Sequence, residues 1–469
     1  MEDSKIIKLA RAIITVLVFV AAICICMRVL VLKSEDGIKQ MESFYLQEEN
    51  TVDALLVGSS HIYCDVNTGI LWDEYGISAY DLGGAEQPYW NTYYFLKEAL
   101  KYQTPKVIVL DVTIPGIRSV EYQPEVWSVT NLYGIRWNKN RIDATRASTE
   151  GDVIFNRVIN PFNTMHTRYD ELKKDDFVDE NRSINYKGFD MREAIVPFEM
   201  QDMSEENEVL PITEKEEEYL RKIINLTKEK NIPLLLVSVP FPVQRYENAQ
   251  KIYNYEFEIA EKEGIPYIDF NKGHYDKIGL DFEKDFADEF HLNTTGNEKF
   301  TKYLGNLLVE QYKLDDHRGD AKYSSWDVDA LNQRQENAWV KLRNAETEEE
   351  YFANLQNDKF IVYLSFGNGA EESGKSGMLE ALGVEPVSDE LITLYRGNVI
   401  YASKEEEQKA FMDLDDMKLQ LMRDDSDEGY TTSRLMVNEK EYSLDTSGIK
   451  VLVYDSVLKR VVSEKEFDL

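Results

Sequence analysis

The stretch VDALLVGSSHIYCDV, residues 52–66, decides the fold. Its apolar run from Ala54 to Val57 is typical of a strand that is buried on both faces, and the run stops at Gly58. Two serines and a histidine follow at once, and a segment with helical character begins at Asn67. The glycine and serine pair after this strand form either a plain turn or a turn that holds a serine nucleophile at the tip of the strand.

Strand and helix patterns alternate along the chain after this stretch. Strand patterns recur at 78–82, 107–112, 234–239 and 267–270, and the one at 107–112 is almost wholly apolar. Helical patterns separate them, and one of these begins with a capping box formed by Thr213 and Glu216. Such alternation predicts an α/β fold, a three-layer αβα sandwich with a parallel sheet, whose active site lies at the carboxyl ends of the strands.

These patterns also divide the chain into regions. The sandwich is predicted over 51–315, and mixed polar and aromatic sequence over about 115–210 is interpreted as an insertion within it. The polar residues 316–340 are interpreted as a linker. A second set of strand patterns, which includes FIVYLSF at 360–366, predicts a smaller α/β accessory domain over 341–469.

An apolar segment at the N-terminus predicts a membrane anchor. It runs from Ala12 to Leu32, is interrupted only by Arg28, and spans roughly 30 Å as a helix, which is one bilayer core. Basic residues precede it, which favours a cytoplasmic N-terminus. Because no small-residue cleavage pattern follows, residues 1–33 are interpreted as an uncleaved, single-pass anchor in the cell membrane rather than a signal peptide. A spacer at 34–50 then leads to an extracytoplasmic catalytic domain.

Composition and charge exclude several classes of protein. The net charge of −33 argues against nucleic acid as a partner, because phosphate binding requires clustered Lys and Arg. Three cysteines cannot build a disulfide framework, and an exported chain with so few suits a bacterial surface. No H-x-x-x-H or C-x-x-C spacing indicates a metal site, and no phosphate-loop or dinucleotide fingerprint is present. The sequence therefore predicts neither a metal nor a cofactor.

Candidate catalytic residues follow from the serine pair, since a serine nucleophile requires a base and the base requires an orienting acid. Of the five histidines, His291 has the most suggestive setting, because Asp288 lies three residues before it on a loop ahead of a capped helix. That spacing lets the carboxylate accept a hydrogen bond from one ring nitrogen while the other nitrogen faces Ser60. Ser60, His291 and Asp288 are therefore the predicted catalytic residues, and Ser59 is the alternative nucleophile.

Other candidate residues have weaker settings. His61 is interpreted as a structural residue or as a substrate contact at the rim of the cleft. Tyr89 and Trp90 either pack in the core or stack on a sugar. The remaining histidines are interpreted as ordinary residues without a role in the site: His166, His274 and His317.

These motifs, in this order, resemble those of the SGNH (GDSL-like) hydrolase superfamily. The Gly-Ser-Ser that ends at Ser60 is similar to the first sequence block of that family, whose third residue is the nucleophile, and the D-x-x-H that ends at His291 is similar to the last block. The run YDLGGAEQ, residues 80–87, resembles the second block, whose glycine amide helps to form the oxyanion hole. The resemblance implies backbone oxyanion donors at Ser60 and Gly84, with Gly83 as the rival.

The chain departs from the family in the third block, which carries an asparagine that donates to the oxyanion. Here the strand VIVLDV runs into a Thr-Ile-Pro sequence, and Asp111 or Thr113 occupies the neighbourhood. A missing donor costs ~2.7–4 kcal/mol of transition-state stabilisation. Asn91 or a residue of the 115–210 insertion could replace it, or the loss could favour acyl transfer over hydrolysis.

The GSSH variant with an N-terminal anchor is similar to extracytoplasmic proteins that act on cell-surface polymers. Examples are alginate acetyltransferases and the protein that assists teichoic acid D-alanylation. The resemblance implies a serine acyl esterase or O-acyltransferase, a cell-surface glycan or polymer as substrate, and a membrane-bound O-acyltransferase as a partner. The alternative is a catalytically weak or inactive glycan-binding scaffold of a polysaccharide-modification complex.

The C-terminal region has a resemblance of its own. This resemblance depends on three segments, FIVYLSFGNGAEES at 360–373, EALGVEP at 380–386 and IKVLVYDSVLKRVVSEKEFDL at 449–469. They are similar to the small α/β domain of the interleukin-like epithelial–mesenchymal transition inducer family. Carbohydrate or partner binding is what that resemblance implies for this domain.

Overall fold

The computed structural model describes residues 2–30, 35–151, 172, 177, 186–367, 370–385, 391–395, 398–403, 409–414, 417–425, 431–437 and 440–467. The chain forms two compact units, Met1–Ala330 and Leu331–Leu469.

A five-stranded parallel sheet forms the centre of the first unit. Its strands are β1 (Ala54–Gly58), β2 (Ala79–Gly83), β3 (Val107–Asp111), β4 (Leu234–Ser238) and β5 (Tyr267–Asp269). They lie in the order β2-β1-β3-β4-β5, so that the strand of the opening stretch is flanked on both sides. All residues of the first four strands are buried, which explains why β1, β3 and β4 are mostly apolar in the sequence. The predicted α/β fold with a parallel sheet is confirmed.

Helices connect the strands and cover the sheet. After the N-terminal helix, those described in this unit are Gln40–Phe44, Ser60–Asp65, Thr68–Tyr75, Tyr89–Ala99, Thr113–Ile117, Glu125–Ser128, Lys139–Ser148, Glu214–Lys230, Ala249–Glu263, Tyr275–Ile278 and Thr294–Tyr312. Thr213 caps the helix that follows it by accepting the Glu216 amide at 3.2 Å, but the reciprocal bond of the capping box is absent, since the Thr213 amide donates to Ser119 Oγ and the Glu216 carboxylate accepts the Tyr89 amide. Tyr89 and Trp90 are both buried, so they pack in the core and do not offer a face for a sugar.

The N-terminal helix spans Glu2–Leu30 and contains an apolar stretch, Ile7–Cys26, with a mean hydropathy of 2.7. Its length and composition suit a membrane anchor, and they equally suit a signal sequence. The predicted cytoplasmic N-terminus stays a prediction.

The second unit is built on antiparallel strands. One sheet has the order β14-β13-β6-β7-β8, with β6 at Phe360–Phe366 in its centre, and a second sheet has the order β12-β11-β10-β9. The remaining strands are β7 (Leu391–Tyr395), β8 (Asn398–Ser403), β9 (Lys409–Leu414), β10 (Met417–Asp425), β11 (Thr431–Val437), β12 (Lys440–Ser443), β13 (Ile449–Asp455) and β14 (Arg460–Phe467). Helices lie at Glu348–Asn354 and Glu372–Ala381. A 21-residue helix, Ser324–Asn344, runs through the segment interpreted as a linker. The start of this helix belongs to the first unit, where Trp326 is buried and donates a hydrogen bond to the Ala79 carbonyl at 3.1 Å.

Candidate active site

The turn after β1 is too tight for any side chain at its glycines. Gly58 has a φ of +150°, and a Cβ there would lie 2.7 Å from the Asp111 Cβ. A Cβ on Gly83, at the end of β2, would lie 2.6 Å from the Gly58 carbonyl oxygen. Glycine at both positions lets the backbones of the three adjacent strand ends approach one another closely. Ser60 then begins the helix that follows β1.

Ser60, His291 and Asp288 lie together at the carboxyl end of the sheet. The Ser60 Oγ is 2.8 Å from His291 Nε2, although 231 residues separate the two in the sequence. The other ring nitrogen, Nδ1, is 3.0 Å from each carboxylate oxygen of Asp288. The structure thus brings together the three residues predicted to be catalytic, in the order hydroxyl, imidazole, carboxylate that activates a nucleophile.

Backbone amides hold the Asp288 carboxylate in place. Its Oδ1 accepts the amides of Phe290 at 2.8 Å and of His291 at 2.9 Å. Partial burial raises the pKa of Asp288, but the hydrogen bond and charge of His291, together with these amides, outweigh burial, and the pKa falls to about 2. Asp288 is therefore ionised near neutral pH. An ionised carboxylate accepts only, so it assigns the ring proton to Nδ1 and leaves Nε2 free to take the Ser60 proton.

The loop that carries His291 is closed by its own backbone. The Ala287 amide donates to the His291 carbonyl at 2.8 Å, and the Asn293 amide donates to the Asp285 carbonyl at 2.9 Å. Asn293 also caps the Thr294–Tyr312 helix through its side-chain oxygen. His291 therefore lies on a short loop that is held by internal backbone hydrogen bonds and is fixed to the start of a long helix.

Ser59 has a structural partner in Asp111, and its hydroxyl also lies 3.3 Å from Nδ1 of the buried His61. Its hydroxyl donates to Asp111 Oδ2 at 2.7 Å and caps the Ser60–Asp65 helix by accepting the His61 amide. Asp111 also accepts the amides of Ser59 at 3.3 Å and Thr113 at 2.8 Å. This side chain fastens the end of β3 to the serine turn, so the Ser59 hydroxyl is committed to holding the turn.

His61 lies behind the site and is fully buried rather than at a rim. Its ring centroid is 5.3 Å from that of His291 and 5.6 Å from that of Phe241. Burial, with a smaller contribution from the neighbouring charge of His291, lowers its pKa well below the ordinary value. His61 is therefore a neutral packing partner of the His291 imidazole. Of the other histidines, His274 contacts Tyr303 at 3.2 Å, His317 is described below, and His166 lies outside the described residues.

The two expected oxyanion donors, the amides of Ser60 and Gly84, differ in whether they already have a hydrogen-bond partner. The Gly84 amide is directed at the Gly58 carbonyl, at a long 3.4 Å. In the part of the chain that the structure describes, the amides of Ser60 and Ala85 have no hydrogen-bond partner. Ser60 is the first helical residue, where an amide has no partner within the helix. Gly84 stays a prediction, and the Ala85 amide next to it is a donor that the sequence did not indicate.

At the end of β3, neither Asp111 nor Thr113 supplies the side-chain donor that an asparagine would give. The Thr113 hydroxyl accepts the Val239 amide at 3.0 Å and directs its own proton to the Asp111 carboxylate, which accepts only. Asn91 donates to the Ser128 carbonyl at 2.8 Å. Asn131, from the insertion, lies against Gly84, since its Nδ2 would be 2.7 Å from a Cβ there, and it donates to the Ala85 carbonyl at 2.8 Å. Asn131 therefore positions the Gly84 loop.

Aromatic rings lie beside His291. The ring centroids of Phe290 and Tyr246 are 5.3 Å apart at an interplanar angle of 32°, and both side chains are half-buried. Arg245 lies over the Phe198 ring and pairs with Glu289 at 3.4 Å. Flat apolar faces bordered by charged groups suit a polar ligand with an apolar face, such as a sugar ring.

One group of metal-type ligands occurs among the described residues, at the opposite end of β1. Asp53, Asp315 and His317 have donor atoms within 4.8 Å of one another. Lys106 Nζ lies 2.8 Å from Asp53 Oδ2 and also pairs with Asp315, and the His317 ring stacks on Tyr323. The ammonium already supplies the positive charge that this group requires.

No protein-family model and no curated protein matches the sequence. Among solved structures, the chain is similar to one from Bacteroides fragilis described as a "putative acylhydrolase". The two share 11% sequence identity with a TM-score of 0.29, and the similarity covers 58% of this chain and 95% of the other. At that TM-score the similarity supports no assignment, and function rests on the geometry of Ser60, His291 and Asp288.

Proposed function

We propose that this chain is a membrane-anchored, extracytoplasmic SGNH-type serine acyl esterase or O-acyltransferase that acts on a cell-surface glycan or polymer. The observation that carries the proposal is the continuous chain of contacts from Ser60 Oγ to His291 Nε2 at 2.8 Å, and from Nδ1 to Asp288 at 3.0 Å.

Acyl transfer in this site would proceed through two steps. Ser60 Oγ attacks the ester carbonyl while His291 Nε2 takes its proton, and the same proton then passes to the departing alcohol. Asp288 holds the ring and stabilises the imidazolium. In the second step, water or a glycan hydroxyl attacks the acyl-serine as His291 removes its proton. The acyl group leaves as a carboxylic acid or as a new ester, and Ser60 is regenerated.

The oxyanion of each step would be bound by amides at the turn. Ser60 contributes its own amide, and Gly84 or its neighbour Ala85 contributes the second, since Ser60 and Ala85 have unpartnered amides in the described part of the chain. Among the described candidates, Asn91 and Asn131 each donate to a backbone carbonyl and add no third donor, so we expect slow turnover relative to a site that has one.

The substrate and the partner come from the family resemblance, and two features support them. The half-buried rings of Phe290 and Tyr246 beside His291 offer a face for a sugar. The apolar Ile7–Cys26 stretch suits an anchor that would keep the enzyme near surface polymers. A membrane-bound O-acyltransferase that exports acyl groups would supply the acyl donor.

A glycan-binding scaffold is the second candidate. The observation that favours it is the end of β3, where Asp111 is committed to Ser59 and offers an acceptor where the family has a donor. A protein of this kind would keep the fold and bind the polymer without turnover.

A fluorophosphonate probe separates the two candidates. We expect covalent labelling of the wild type and of Ser204→Ala, a serine in an exposed segment, and no labelling of Ser60→Ala. Hydrolysis of p-nitrophenyl acetate, a small ester, should follow the same pattern. If the folded wild type neither labels nor hydrolyses the ester, the scaffold is correct.

A further inference from the structure

One short helix carries the nucleophile at its first residue and a buried carboxyl at its last. The helix is Ser60–Asp65, and Asp65 is completely buried. Asp65 Oδ1 accepts the Leu292 amide at 2.8 Å, and Leu292 directly follows His291. The element that presents the attacking hydroxyl is therefore also bonded to the backbone of the base.

We infer that Asp65 is a positioning residue that sets the distance between Ser60 Oγ and His291 Nε2 through the Leu292 amide. The inference rests on the proposed function, since a set distance matters only if the pair reacts. A six-residue helix at ~1.5 Å per residue is a stiff spacer of roughly 9 Å. Any movement of this helix then carries the hydroxyl and the base together.

The hydrogen bonds of Ala287 and Asn293 in the His291 loop lie within the loop or join it to segments other than the Ser60–Asp65 helix. The Ala287 and Asn293 amides donate within the loop, and the Asn293 side chain donates to the carbonyls of Lys284 and Ala194. His61, on the nucleophile's helix, touches the His291 ring, but ring packing sets direction weakly. The Asp65 bond supplies a directional link to the helix that carries Ser60.

The chemistry of Asp65 suits this role without a charge. Burial raises its pKa well above the ordinary value, and the Leu292 amide opposes that rise only in part. Its second oxygen, Oδ2, is buried without a hydrogen-bond partner among the described residues. The carbonyl oxygen of a neutral carboxyl still accepts an amide proton, so an asparagine side chain at 65 can make the same bond.

The test compares Asp65→Ala, which removes the acceptor, with Asp65→Asn, which keeps it. The matched control is Asp81→Ala, because Asp81 is equally buried in the same unit and both its oxygens lack partners among the described residues. A displacement of about 1 Å in a reacting pair costs ~10²-fold in rate. We expect Asp65→Ala to lower kcat for p-nitrophenyl acetate 10- to 100-fold with KM within twofold of wild type. Asp65→Asn should keep at least a third of the wild-type kcat, and Asp81→Ala should match the wild type.

For each variant, far-UV circular dichroism gives the fraction of folded protein, and complete reaction with the fluorophosphonate gives the number of reactive sites. Dividing the measured rate by these amounts gives a kcat that can be compared between variants. Full kcat in Asp65→Ala, or equal losses in Asp65→Asn and Asp65→Ala, overturns the inference alone. An inactive wild type overturns the proposed function as well. If Asp65→Ala does not fold, Asp65→Leu, which fills the space without an acceptor, takes its place. Failure of both to fold would assign Asp65 to stability only and would also overturn the inference.

Discussion

Replacement of Asp288 by asparagine should move the ring proton of His291 from Nδ1 to Nε2. Both backbone amides at this site, from Phe290 and His291, donate to Oδ1 of Asp288. An asparagine would keep its carbonyl oxygen at that position to accept them, and its NH₂ group would then replace Oδ2, 3.0 Å from His291 Nδ1. A donor there forces Nδ1 to accept and places the ring proton on Nε2, where it blocks transfer from Ser60.

The size of the effect has two parts. The pKa of Asp288 falls from 3.8 to about 2, which at about 1.4 kcal/mol per pKa unit is about 2.5 kcal/mol of favourable interaction. The side chain is 47% exposed, so solvent screening leaves about 1 kcal/mol, or roughly fivefold in rate. A wrong tautomer is far more costly and lowers kcat ~10⁴-fold in the serine protease triad. We therefore expect Asp288→Asn to lower kcat by ~10³ to 10⁴, with tautomer reversal as the dominant cause.

The assay combines kcat for p-nitrophenyl acetate with nitrogen-15 NMR of the His291 ring, which reports the nitrogen that carries the proton. Glu289→Gln is the matched control, since it removes a neighbouring carboxylate that pairs with Arg245, and it should change kcat less than twofold. An Asp288→Asn variant that keeps kcat within tenfold of wild type, or that keeps its proton on Nδ1, would refute the reasoning.

Further predictions concern the turn, pH and the aromatic rings. Gly58→Ala should destabilise the fold by ~2–5 kcal/mol in urea unfolding, because its φ of +150° and the 2.7 Å approach to Asp111 both oppose a Cβ; an unchanged midpoint would count against the tight turn. The depressed pKa of Asp288 contributes stability that is present above pH 3.8 and lost as pH falls towards about 2, so the Tm difference between wild type and Asp288→Asn should shrink over that window; a constant difference would contradict it. Phe290→Ala should raise KM for an acylated oligosaccharide at least fivefold with little change for p-nitrophenyl acetate, whereas Phe290→Tyr should not; equal effects on both esters would exclude a sugar contact.

The sequence predicts those parts of the fold and site that depend on local patterns. The strands β1, β3 and β4 are short, mostly apolar runs, so hydropathy alone indicates them, whereas β2 and β5 each contain an aspartate and are indicated by their place in the alternation of strands and helices. The D-x-x-H spacing places Asp288 and His291 within one turn, so their contact is also local. The Ser60 partner of His291 is distant, and it follows from the rule that active sites lie at the carboxyl ends of parallel strands.

Residues that hold the site in place leave no local pattern. Asp65 reaches Leu292 across 227 positions, Asp111 reaches Ser59 across 52, and Asn131 reaches Ala85 across 46. Each is one polar residue in an ordinary setting, and its role arises only when the sheet and the insertion bring the segments together. The helix Ser324–Asn344 lies largely within the polar segment 316–340, and its polar composition conceals Trp326, which is buried.

The most direct measurement is the position of a covalent adduct. Folded protein treated with a fluorophosphonate is digested, and tandem mass spectrometry identifies the modified side chain. The account predicts the adduct on Ser60, at a rate that falls at least 10²-fold in His291→Ala. An adduct on Ser59, or labelling of Ser60 at an undiminished rate in His291→Ala, would contradict it.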